Sequence, residues 1–180
     1  MRAALDTPTL TALPQGICSW QYKVFDENGA EIADFNVQSS YAVLNFQGLA
    51  YYLLVSGQLF HFRFLWVRDD GRIATQRFWV RPTVSEVEYP ALAVFTRSPG
   101  LYFGTRFDVE IGGEAYHLKS SNGLFIISRN GKEIGMVRRQ HAFTRRALVL
   151  FDPGISQLTQ LLFLGKVLAT WRTDADTSAS

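Results

Sequence analysis

Apolar and polar residues alternate along most of this chain, and the alternation is broken at short intervals by turn signals. Tyr22 to Phe35 reads as strand, turn, strand, with the turn at Asp26–Gly29. Trp66 to Trp79 repeats the device around Asp69, Asp70 and Gly71. Phe125 to Val137 repeats it around Arg129, Asn130 and Gly131, and Phe107 to Leu118 turns on Gly112 and Gly113. Asn-Gly and Asp-Gly supply the positive φ angles of tight hairpins, and β-rich runs flank them here. Phe60, Phe62 and Phe64 alternate with His61, Arg63 and Leu65, and Leu49–Val55 fits a strand or a short helix, with strand preferred. Pro82 and Pro90 bracket a crossover over 83–89, with Ser98, Pro99 and Gly100 after it. Residues 1–16 show no periodicity and read as an irregular arm whose first fourteen residues are dispensable for folding.

The period changes after Asp152, Pro153 and Gly154. Residues 155–171 predict the one long helix, and it has no polar face: Ile155, Leu158, Leu161, Leu162, Phe163, Leu164, Val167, Leu168, Ala169 and Trp171 point all ways round. Such a helix is buried in protein or lipid. Seventeen residues span roughly 25 Å at about 1.5 Å each. That is short for a bilayer, and Gln157, Gln160, Lys166 and Thr170 interrupt it. The expectation is therefore an all-β chain with one helix, a closed antiparallel β-barrel enclosing that helix, rather than an integral membrane protein. The barrel occupies 17–172, the helix 155–171, and 173–180 form a disordered tail. Trp20, Trp66, Trp79 and Trp171 read as core, with Trp171 and Arg172 sealing the barrel mouth and Arg172 favoured at the negative helix terminus.

Composition adds little beyond one domain of ordinary globular type. The 180 residues are 47% hydrophobic and 19% charged. Charge placement adds more, because residues 1–99 carry 8 Lys/Arg against 9 Asp/Glu, whereas residues 100–172 carry 10 against 5. The basic character lies in the second half. Cys18 is the single cysteine. It cannot form an internal disulfide, and it reads as a small buried apolar residue. The first residues contain no signal-peptide pattern, so a cytoplasmic protein, peripheral at a membrane at most, is expected.

Candidate chemistry is sparse. Lys132, Arg138, Arg139, His141, Arg145 and Arg146 form the densest basic cluster. Strand alternation would put Arg138 and Arg139, and likewise Arg145 and Arg146, on opposite faces of two strands joined near 140–144. The outward members would present a patch to anionic phospholipid. Phe143 between them is the membrane-contact candidate. The bland alternative is ordinary solvated charge paired to Glu133 and other carboxylates. Nucleic acid is disfavoured because no recognition motif accompanies the patch. Glu114 and His117 have a ligand-like spacing but fall on opposite faces of a strand, so no metal and no cofactor are implied. No nucleophile elbow, P-loop or dinucleotide fingerprint occurs, and no catalytic residue is singled out. The expected function is a non-enzymatic binding module. A small hydrophobic ligand between barrel and helix, or a protein partner, are the alternatives.

The run Arg106, Phe107, Asp108, Val109, Glu110, then Gly113 to Tyr116, then Phe125 to Arg139, followed by Leu148 to Gly154 and the apolar helix, resembles the tubby C-terminal-like superfamily. That superfamily takes in the tubby-like proteins, the phospholipid scramblases and the LURP-one-related proteins. The resemblance is best over 100–172. It implies about twelve antiparallel strands closed round the C-terminal helix, and phosphoinositide-like headgroups as ligands for basic barrel residues. Scrambling activity is not implied, because the Cys-rich segment, the Pro-rich N-terminal region and an acidic calcium loop of scramblases have no counterpart here. No individual basic position is carried over.

Overall fold

The structure is a computed structural model that describes residues 7–38, 41–58, 61–69, 93–97 and 106–179. The expectations for Phe60, Asp70, Gly71, Trp79, the Pro82–Pro90 bracket and the 98–100 turn lie outside these residues. Within them the chain is antiparallel sheet followed by one C-terminal helix. The strands are β1 (Leu10–Pro14), β2 (Gln21–Asp26), β3 (Glu31–Val37), β4 (Tyr41–Phe46), β5 (Leu49–Gln58) and β6 (His61–Asp69). β7 (Ala93–Arg97), β8 (Arg106–Ile111), β9 (Glu114–Ser121), β10 (Leu124–Arg129), β11 (Lys132–Arg139) and β12 (Ala147–Phe151) follow. The helix α1 spans Gln157–Ser178. Each strand pairs with its sequence neighbours, and β1 pairs on both flanks, Ala12 opposite Val24 of β2 and opposite Ala147 of β12.

The hairpins form where the turn residues demand them. Asn130 and Gly131 take φ of 53° and 76°, and the same pair of left-handed residues recurs at Asn122 and Gly123. In β8 the alternation buries Phe107, Val109 and Ile111 and leaves Arg106, Asp108 and Glu110 exposed. Close approach rather than φ explains Gly135. A β-carbon there would lie 2.5 Å from the Phe151 ring, so only glycine lets that ring cross β11.

All residues from Gln160 to Ala169 are buried, which matches a helix apolar on every side. Phe163 meets two neighbouring rings in T-shaped pairs, 5.7 Å from Phe95 and 5.6 Å from Tyr116, and lies 5.9 Å from Phe151. Such edge-to-face pairs add about 0.5–1.5 kcal/mol each beyond area burial. Lys166 is only 1% exposed, and its ammonium sits 4.2 Å from the centre of the Phe107 ring and donates to Thr170 Oγ1 at 3.0 Å.

Three expectations need correction. The irregular arm over 1–16 contains β1, because Leu10 and Ala12 bury themselves between β2 and β12. The helix begins at Gln157, since Ser156 is extended and its hydroxyl accepts from the Thr159 amide at 3.1 Å, satisfying an otherwise orphan donor. It also runs through the supposedly disordered tail to Ser178. The Arg172–Asp176 pair at 3.2 Å and the Thr173 and Thr177 hydroxyls bonded one turn back to carbonyls line that last stretch. Arg172 is therefore inside the helix and not at its negative end.

Candidate functional site

Strand direction decides which basic residues meet. β11 starts at Lys132 and ends at Arg139, seven steps at about 3.3 Å, or roughly 23 Å apart. Lys132 therefore stands at the far end, where it pairs with Asp152 at 3.2 Å before the helix begins. It does not belong with the other candidates. Arg138, Arg139, His141, Phe143, Arg145 and Arg146 sit together at the opposite end, on the last residues of β11 and the 140–146 loop leading into β12. The same end carries the 15–20 loop between β1 and β2, because Ala12 near the end of β1 lies opposite Ala147. Trp171 and Arg172 of α1 reach it as well, through ring contacts with Arg139 and Trp20.

The arginines at this end have different tasks. Arg138 is exposed, and its side chain makes no hydrogen bond or ion pair among the described residues. Arg139 continues the inward row below Val137 and lays its guanidinium 4.7 Å from the centre of the Trp171 indole. Arg138 and Arg139 thus do fall on opposite faces, as strand alternation requires. Arg145 and Arg146 do not, because they precede β12 and lie in the loop. Arg145 crosses to the 15–20 loop and donates to the carbonyls of Ser19 at 2.7 Å, Gly16 at 3.1 Å and Ile17. It also lies 4.9 Å from the centre of the Trp20 ring, which Arg172 approaches at 5.2 Å. Arg146 donates to Gln140 Oε1 at 3.0 Å, and its own carbonyl accepts from the Gln140 amide at 2.9 Å, which closes the loop. His141 is exposed, and its carbonyl accepts from the Thr144 amide at 3.1 Å. Phe143 stands fully exposed at the loop tip.

Sequence reasoning missed four residues here. Ile17 is 97% exposed in the 15–20 loop. Trp20 is half-buried, packed against the edge of the core, with the guanidiniums of Arg145 and Arg172 over its ring. Cys18, expected to be buried, is exposed because it lies in the loop and not on a strand. Tyr22 is buried, and its hydroxyl has no hydrogen-bond partner among the described residues. Burial pushes its pKa up from 10.0 to about 12, against the pull of Arg145, Arg139 and Arg172. The available signal was the apolar Ile17 inside a Gly16–Ser19 turn, out of any alternation. A cleft of about 230 Å³ opens beside this cluster, lined by Cys18, Ser19, Trp20, Asn36, Gln38 and Arg172 among others.

The other chemical candidates disperse. His117 Nδ1 lies 2.9 Å from Asp108, while Glu114 accepts from Arg129 at 3.1 Å and from the Tyr116 hydroxyl. The Tyr116 hydrogen bond is the main cause holding the Glu114 carboxyl below its usual value. Among the described residues no group of three His, Cys, Asp or Glu side chains could hold a metal. Comparison with protein-family models, curated proteins and solved structures gives no significant match. No described helix is long and apolar enough to cross a membrane.

Proposed function

We propose that this chain is a non-enzymatic binding module that docks on anionic phospholipid through the end of the molecule carrying the 140–146 loop. In this reading the sheet is a closed barrel of the tubby C-terminal-like type, α1 is its fixed plug, and the protein meets the membrane from the cytoplasmic side. Support for the barrel comes from β1 pairing on both flanks and from a helix buried on all sides. The observation that carries the function is the gathering of Arg138, Arg139, Arg145, Arg146 and Arg172 at one end, with Arg138 exposed and unpaired among the described residues. Each such cation near an anionic surface is worth about 1 kcal/mol. Asp174 and Asp176 on the last helical turns offset part of that charge, and Asp176 is already engaged by Arg172.

The test is co-sedimentation with phosphatidylcholine vesicles containing phosphatidylserine or a phosphoinositide, at low and high salt. Binding to the anionic vesicles should fall steeply with salt, because exposed charges are screened over about 10 Å at 0.1 M. Arg138→Glu removes one cation and adds one anion, so it should weaken binding by about 2 kcal/mol, or roughly thirtyfold. Arg138 is the residue to change, because it holds no structural contact that the substitution would break. Equal binding to neutral and anionic vesicles, or an unaffected variant, contradicts the proposal.

A further inference from the structure

Two large hydrophobic side chains stand out from the described surface, Ile17 at 97% exposure and Phe143 at 104%. A single exposed apolar residue needs no explanation. These two are not scattered. Ile17 lies in the loop between β1 and β2, Phe143 in the loop between β11 and β12, and the two loops are neighbours at the same end. They are also tied together. Arg145, two residues after Phe143, donates to the carbonyls of Gly16, Ile17 and Ser19 and stacks on Trp20. The 140–146 loop is closed in turn by Gln140 and Arg146. Both apolar tips are thus held out in water by hydrogen bonds at their bases. A loop with only a connecting role would gain by folding such side chains back, so rigid exposure fits a surface made to be covered. Around the tips stand Arg138 and His141, both exposed. Apolar tips at the end that carries an exposed arginine match the layering of an anionic bilayer, with hydrocarbon below and phosphate at the level of the charge.

We infer that Ile17 and Phe143 form one two-pronged wedge, fixed by Arg145, that enters the acyl boundary of an anionic phospholipid membrane. The inference rests on the lipid-docking reading and deepens it, since it sets the orientation of the molecule and adds a hydrophobic component that salt does not screen. It also draws in a residue from the first half of the chain, which carries none of the basic cluster.

The lone exposed cysteine provides the probe. Cys18 adjoins Ile17, so an environment-sensitive nitrobenzoxadiazole label there reports on the first prong. Ala142→Cys in a Cys18→Ser background reports on the second. With phosphatidylserine-containing vesicles both labels should shift to the blue, become shielded from aqueous iodide and be quenched by doxyl groups on the acyl chains. Ile17→Ser and Phe143→Ser should each lower vesicle partitioning about tenfold, and the loss should persist at high salt. If the protein co-sediments with anionic vesicles while either label stays open to iodide, the wedge is wrong and electrostatic docking stands. If the unlabelled protein binds no vesicle at all, the docking reading falls and takes the wedge with it, and the exposed tips are then a protein-contact surface.

Discussion

Tyr22 carries a hydroxyl that is buried without a partner among the described residues, close enough to Arg139, Arg145 and Arg172 for each to oppose the rise in its pKa. An unsatisfied buried hydroxyl costs about 1–3 kcal/mol. Tyr22→Phe should therefore raise stability, by about 1 kcal/mol. The same residue sets an alkaline limit. Its proton is held more tightly in the folded state, with a pKa of about 12 against 10.0. That contribution is complete below pH 10 and is lost as pH rises from 10 toward 12. Urea unfolding at pH 9 and pH 11.5 checks both points: the wild type should lose more stability than Tyr22→Phe across that interval. Equal losses would mean the hydroxyl is solvated. None of this was legible from the chain, because Tyr22 opens a strand like several other aromatics and its three arginines come from positions 139, 145 and 172. Arg138 was legible, since an exposed strand charge needs only its alternation to be found.

At the scale of elements, the helix was the clearest signal and its ends were the least clear. The apolar run stops at Trp171, but hydrogen bonding does not, and Thr173 to Ser178 continue the helix on side-chain and backbone bonds that hydrophobicity cannot report. β1 was missed for the opposite reason. Five residues, Leu10–Pro14, with one proline and one threonine, are too few to show a period, and their strand character comes from two partners distant in sequence. The consequence is a reversal of the expectation for the N-terminus. Deleting residues 1–14 strips pairing partners from both β2 and β12, removes Leu10 and Ala12 from the core and breaks the Thr9–Gln160 contact at 2.7 Å. That deletion should abolish cooperative thermal unfolding. Removing 173–180, which is exposed throughout its described part, should leave the melting temperature within a few degrees. A folded, cooperative 15–180 fragment would contradict the role given to β1.

At the scale of the whole molecule, the two ends differ. One end holds the Lys132–Asp152 pair and the capped start of α1. The other gathers arginines, two exposed apolar tips and a polar cleft. Charge counting along the sequence found the basic half but grouped Lys132 with the rest. The two ends of one strand are adjacent in a list of residues and far apart in space. The tie from Arg145 to the 15–20 loop, across 126 to 129 positions, was likewise beyond any local pattern. The measurement that tests the account most directly is hydrogen–deuterium exchange of the full chain with and without phosphatidylserine-containing vesicles. Protection confined to 15–20 and 138–146, with 129–133 and 152–156 unchanged, is the expected result. Protection at the Lys132 end, or no change at either end on vesicles that retain the protein, would contradict it.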